Sequence, residues 1–226
     1  MKRILLDTNI YRWIIERQER ELIENLMTNR RDISIYGNPI IRKELRQTPK
    51  GIRILNAEKL RNMRIYLLTL YDELVKKEIE ITDKMKSIAN HYLEVYKELG
   101  GSISGKELLN DFIIVASASS KDLDIVVSQD NRTMLHPYSI KSYRIVNKIE
   151  NLENPNFISY EEFKDLLRGY SDKFFQGSPK FGVFHILSIT FPNIFFVRNK
   201  HPNINSYYNI FKLSFSHLKF KRLFFL

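Results

Sequence analysis

The chain has 226 residues, 36 basic against 26 acidic side chains, a net charge of +10, 43% hydrophobic residues and no cysteine. That length and apolar content suit one well-packed domain with an appendage. The missing cysteine excludes disulfide frameworks, thiolate metal sites and cysteine nucleophiles, and fits a reducing cytoplasm. The positive charge points to a polyanionic partner, nucleic acid or an anionic membrane surface.

Met1-Lys2-Arg3 is followed by only Ile4-Leu5-Leu6 before Asp7, too short an apolar run for a signal peptide, and reads as a first buried strand. After the polar turn Asp7-Thr8-Asn9, the apolar residues Ile10, Trp13, Ile14, Leu22, Ile23 and Leu26 recur at helical spacing. Ile33 to Tyr36 alternates like a strand, and Asn38 with Pro39 predicts the capped start of a helix that carries Glu44. The pattern from Ile52 to Val75 is helical and basic, and Ile79 to Ile81 reads as a short strand. Asp83 opens a helix that ends near Gly100-Gly101.

Ser104 and Glu107 have capping-box spacing ahead of a helix with Leu108, Phe112, Val115 and Ser119 on one face. Asp124 to Ser128 predicts a buried strand ending at Gln129-Asp130. Tyr143 to Val146 and Asn156 to Ser159 read as further strands, and Tyr160 to Leu167 as a closing helix. Such alternation predicts an α/β fold, a three-layer α/β/α sandwich with a mostly parallel central sheet, over residues 1–170. Its ligand site belongs beyond the carboxyl ends of the strands.

Residues 171–226 change character. Twelve of the fifteen Phe lie beyond residue 172, no Asp or Glu follows Asp172, and eight Lys or Arg do. This basic, Phe-rich extension reads as an arm for RNA or anionic lipid, as a membrane segment, or as a disordered or non-native end. A Phe, Asn, Ile, Lys and Tyr mixture without acids is also what AT-rich DNA gives in an unselected frame. Phe181 to Val197 is interrupted by His185, Pro192 and Asn193 and is short for a bilayer span, which argues against a membrane.

Asp7 and Asp130 each end a predicted strand, so a parallel sheet places both on one rim. Asp111 shares a helix face with Leu108 and Val115, which sets a carboxylate beside a buried stripe. Buried carboxylates near one another need a compensating cation, either Arg or Lys or a metal. Without cysteine or paired histidines the ligands are oxygens, which suit Mg²⁺ or Mn²⁺, and Glu44 completes the set. Taken singly, Asp7 also suits a helix cap and Asp111 an ion-pair partner. Asp122 and Asp124 fall in a loop and read as solvated turn residues. His91, His136, His185, His201 and His217 are scattered and read as surface or packing residues, and Trp13 as core or partner surface.

Asp7-Thr8-Asn9 after an apolar strand, a Glu in the helix after the second strand, the run from Asp111 to Ala118, and Ile125 to Asp130 together resemble a PIN-domain nuclease over about residues 1–168. The resemblance implies that Asp7, Glu44, Asp111 and Asp130 bind one or two divalent cations and hydrolyse RNA, with Thr8, Asn9 and Ser128 as supporting polar groups. It implies a cytoplasmic endoribonuclease similar to toxins of toxin–antitoxin systems, with a small antitoxin as partner and a homodimer as assembly. With two metals the products would carry 5′-phosphate and 3′-hydroxyl ends. The segment from Pro49 to Glu80 is longer than in small toxin members, and Asn131-Arg132-Thr133 departs from their acidic-aromatic continuation. Arg30 to Arg64 holds ten basic residues, of which Arg42, Lys43 and Arg46 flank Glu44 and are read as a phosphate-backbone contact. The rival reading is a catalytically silent PIN-like module that binds RNA or protein.

Overall fold

The computed structural model describes residues 1–28, 32–56, 59–103 and 106–177, with the side chains of 54–61, 106–107 and 170–177 left out. β1 (Lys2–Leu6) lies at the centre of a five-stranded sheet in the order β5-β2-β1-β6-β7. Its neighbours are β2 (Ile33–Gly37) and β6 (Ile125–Val127), and the edges are β5 (Val75–Glu78) and β7 (Asn156–Ile158). Every pairing is parallel, with Ile4 opposite both Ile35 and Ile125. Ile4, Leu5, Leu6, Val126 and Val127 are fully buried, the continuous apolar run of strands covered on both faces.

The connections follow from the handedness of parallel crossovers. From β1 the chain moves to β2 and then β5 through α1 (Thr8–Glu16), α2 (Arg20–Thr28), α3 (Pro39–Gln47) and α4 (Met63–Leu74). It then crosses back to β6 and β7 through α5 (Asp83–Glu98), α6 (Lys106–Ser120) and α7 (Pro137–Glu150). The direction reverses, so right-handed crossovers put α1–α4 on one face and α5–α7 on the other. The closing helix α8 (Tyr160–Gly177) packs on α2, and α5 packs on α6 and α7. This is the predicted α/β/α sandwich, with its reversal point between β1 and β6.

Four local expectations give way to tertiary structure. Residues 53–56 and 59–62 are not helical: β3 (Arg53–Asn56) and β4 (Lys59–Asn62) pair antiparallel. Asn62 caps α4 by accepting the Arg64 N–H at 3.0 Å, which fixes the helix start at Met63. The strand expected at Ile79 to Ile81 lies earlier, at Val75–Glu78, with Lys76 and Lys77 exposed on the sheet edge, while the Ile79 N–H reaches Gly37 at 2.9 Å. Tyr143 to Val146 is helix, because Pro137 at its first turn and buried Ser139, Tyr143, Val146 and Asn147 set a helical period. The first long helix is two, separated where Gln18 takes a positive φ of 54°.

The capping box involving Ser104 and the extension from residue 178 lie outside the described residues, and α8 itself runs to Gly177. No described helix is long and apolar enough to cross a membrane.

Candidate active site

Beyond the carboxyl ends of β1 and β6, where the crossovers diverge, lies a cavity of about 790 Å³, within the usual size of ligand sites. Asp7, Glu44, Asp111 and Asp130, brought from four different segments, all line it.

Asp7 closes β1 and caps α1, its Oδ1 accepting the Thr8 N–H at 2.6 Å. Its Oδ2 accepts from Asn9 Nδ2 and from Ser128 Oγ, each at 2.6 Å, so all three expected supporting residues surround it. The cap reading and the cluster reading of Asp7 therefore hold together. Asp7 is only 5% exposed, and burial pushes its carboxyl up to about 6. Hydrogen bonds from Ser128 and Thr8 hold that rise back, while Glu44 and Asp130 add to it.

Glu44 sits on α3, where the Asn38 cap, accepting the Ile40 N–H at 2.9 Å, fixes the start of the helix. Its Oε2 accepts from Thr8 Oγ1 at 2.6 Å and its Oε1 from Asn110 Nδ2 at 3.2 Å, which ties α1, α3 and α6 together.

Asp111 is aimed by its neighbour. Phe112 is buried edge-on among Tyr92, Tyr96 and Tyr143, with ring centroids 6.1, 5.8 and 5.5 Å away. Each such pair contributes about 0.5–1.5 kcal/mol beyond area burial and fixes the rotation of α6. That rotation turns Asp111 to the cavity, where burial first, then the charge of Asp7, pushes its carboxyl up to about 8.

Asp130 follows β6 in a tight turn, Oδ1 accepting the N–H groups of Arg132 and Thr133 at 2.9 and 3.0 Å. Thr133 Oγ1 contacts both Asp111 Oδ2 and, at 2.6 Å, Asp130 Oδ2. One hydroxyl has one proton to donate, so two carboxylates can share it only if one of them is itself protonated. Asp111, whose carboxyl burial pushes up to about 8, is the one that keeps a proton at neutral pH.

The four acids are thus held by hydroxyls and amides. Among the described residues, no group of three or more acids or histidines is already drawn around one point as a closed metal cage. The donor set is all oxygen, the chemistry of a hard divalent cation. Two of its members are buried where protons are favoured, and a cation would replace those protons.

Arg12, Lys43 and Arg132 bring positive charge to the cavity lining. Of the three cations expected beside Glu44, only Lys43 faces this cavity. Arg42 is turned onto Asp72 at 3.1 Å, and with Arg46 it lines a separate hollow beside Pro39 and Glu78. Asp122 and Asp124 stay outside the cavity, as expected. Of the described histidines, His91 pairs with Glu150 at 3.5 Å and His136 caps α7.

Thr133, Asn110, Arg12 and Arg132 escaped the sequence reading. Thr133 had a signal: a Thr three residues after an Asp at a strand end suits a side-chain-stabilised turn. The other three depend on how α1, α6 and the loop after β6 meet.

No family model matches the chain, and neither does any curated protein. Solved structures similar to it include two toxin–antitoxin complexes named VapBC. One, VapBC2 from Rickettsia felis bound to a DNA fragment from their promoter, aligns at 16% identity over 70% of this chain and 98% of that one, with a TM-score of 0.41. The other, DNA-bound VapBC from Salmonella typhimurium, aligns at 18% identity over 71% and 99%, with a TM-score of 0.39. Likenesses this loose decide neither activity nor partner.

Proposed function

We propose that the chain is a divalent-metal-dependent endoribonuclease that hydrolyses RNA phosphodiester bonds. The observation that carries the proposal is the convergence of Asp7, Glu44, Asp111 and Asp130 on one cavity at the reversal point of the sheet, two of them with raised pKa values. These four would hold Mg²⁺ or Mn²⁺. When bound, such a cation supplies Lewis-acid activation of water and neutralisation of charge on the phosphate.

The remaining residues hold that constellation in place. Ser128, Asn9 and the Thr8 N–H fix the orientation of Asp7. Thr8 and Asn110 restrain Glu44 from two sides, and Thr133 keeps Asp111 and Asp130 at one hydroxyl's reach. Holding acidic groups by such outer hydrogen bonds sets their direction before substrate arrives. Arg12, Lys43 and Arg132 meet the phosphate backbone at the cavity lining. The resemblance of the motifs to PIN-domain toxins supports a small antitoxin protein as partner, a homodimer as assembly and the cytoplasm as location.

Cleavage of a single-stranded oligoribonucleotide in Mg²⁺ or Mn²⁺ tests the proposal. Asp7→Asn and Asp111→Asn should each lower the rate by about a thousandfold or more, as should EDTA. Undiminished cleavage in both folded variants, or in EDTA, overturns it.

A further inference from the structure

We infer that Asn38 and Ser117 are positioning residues for the candidate metal site: their buried hydrogen bond sets the register of α3 against α6, and with it the separation of Glu44 from Asp111. The inference rests on the divalent-metal reading and adds to it two residues that stand outside the cavity lining.

Both residues are fully buried. Asn38 Oδ1 accepts the Ile40 N–H at 2.9 Å, which makes the other terminal atom the amide nitrogen, and that nitrogen donates to Ser117 Oγ at 2.8 Å. Ser117 gives its own proton to the Ile114 carbonyl at 2.7 Å, so its oxygen is the acceptor toward Asn38. The backbone of Asn38 is held as well: its carbonyl accepts the Arg42 N–H at 3.1 Å and faces the Tyr71 hydroxyl at 3.2 Å. Tyr71 can come this close because residue 37 is glycine, where a Cβ would meet that hydroxyl.

A second bond joins the same two helices at the cavity. Glu44 lies six residues after Asn38 on α3, and Asn110, which donates to Glu44 Oε1 at 3.2 Å, lies seven residues before Ser117 on α6. The helices therefore run past each other in opposite directions, joined at two points roughly 10 Å apart along their axes. Asp111 directly follows Asn110, so the pair of bonds ties the helix that bears one acid to the helix that bears the other. Burial of apolar side chains such as Ile41 and Ile114 is non-directional and does not by itself select a register. A buried amide and hydroxyl do select one, because sliding one helix leaves both unpaired where water does not replace the partner. The Glu44 end lies in the cavity, where water or a cation competes for the carboxylate. The Asn38 end is dry and keeps the register when that happens.

The packing alternative is that this bond only stabilises the fold. Mn²⁺ titration calorimetry of the full chain, at a temperature where every variant is folded and with Tm recorded in parallel, separates the two roles. Asn38→Ser keeps a capping oxygen for α3 but loses the amide that reaches Ser117, and Ser117→Ala removes the acceptor. Leu26→Ala empties a buried position on α2, which carries none of the four acids, and lowers stability without touching the bond.

The expected result is a Kd for Mn²⁺ raised about tenfold by Asn38→Ser and by Ser117→Ala, with no further rise in the double variant, because the same bond is lost in all three. Leu26→Ala should bind Mn²⁺ as the unaltered chain does despite its lower Tm. An unchanged Kd in both single variants, additive rises in the double variant, or an equal rise in Leu26→Ala overturns the inference and leaves the metal reading standing. Absence of Mn²⁺ binding by the unaltered chain overturns both.

Discussion

Asp7 closes β1 at one rim of the sheet, and Asp124 leads into the neighbouring strand β6 at the other. Asp124 accepts the Arg3 N–H at 2.6 Å and stands 3.6 and 4.0 Å from the cationic groups of Arg3 and Lys2, so the chain provides its own counter-charge there. Asp7 is instead surrounded by a serine, an asparagine, a backbone amide and other acids, and burial makes its charge costly. The same residue type at two ends of one strand pair is settled at one end and left in need of a cation at the other. On the proposed function, the electrostatic cost at Asp7 is borne by the fold until a cation offsets it.

The largest expected effect on stability follows from that cost. A carboxyl whose folded pKa is raised keeps a proton that the unfolded chain has already lost, so the folded state binds more protons and loses stability as pH rises. For Asp7 the window runs from the ordinary carboxylate value of 3.8 to about 6, and for Asp111 from 3.8 to about 8. At about 1.4 kcal/mol per unit, the Asp7 shift alone costs the fold about 3 kcal/mol by neutral pH, and Asp111 adds to it in the same direction. Thermal melts in EDTA should therefore show a Tm that falls between pH 5 and pH 8.5, with a smaller fall in Asp111→Asn. An identical pH dependence in the variant would count against the buried-acid account. Asp124→Asn provides the contrast and the smallest effect, about 1 kcal/mol of stability from a partly exposed ion pair, with cleavage retained.

Between these lies Thr133, whose hydroxyl joins two acids from different elements. Thr133→Val removes the hydroxyl at nearly constant shape and should lower cleavage or metal affinity about 10–100-fold, while Thr133→Ser retains most of it. Equal activity in Val and Ser variants would show that the hydroxyl does not hold the acids.

The same contrast explains what was legible in the sequence. Strand-end acids could be read because an apolar run stopped by a polar residue is a local signal, and parallel topology then fixes the rim, as Asp7 and Asp130 show. Asp111 could be read because a charge beside a buried stripe breaks the helical pattern. The paired strands β3 and β4 and the helix at Pro137–Glu150 depart from the sequence expectation where a short apolar run fits strand and helix alike, and a cap or a proline decides between them. Arg42, Lys43 and Arg46 share the hollow beside Pro39 and Glu78, and of the three only Lys43 also lines the cavity with Glu44, since adjacent residues on a helix point about 100° apart. Thr133 and Asn110 matter through contacts across elements, for which periodicity carries no signal.

Titration calorimetry with Mn²⁺ at neutral pH tests the central claim most directly. The account predicts saturable binding by the unaltered chain with release of protons from the raised acids, loss of that binding in Asp7→Asn and Asp111→Asn, and its retention in Asp124→Asn. No binding by the unaltered chain, or equal binding by all of these chains, would contradict it.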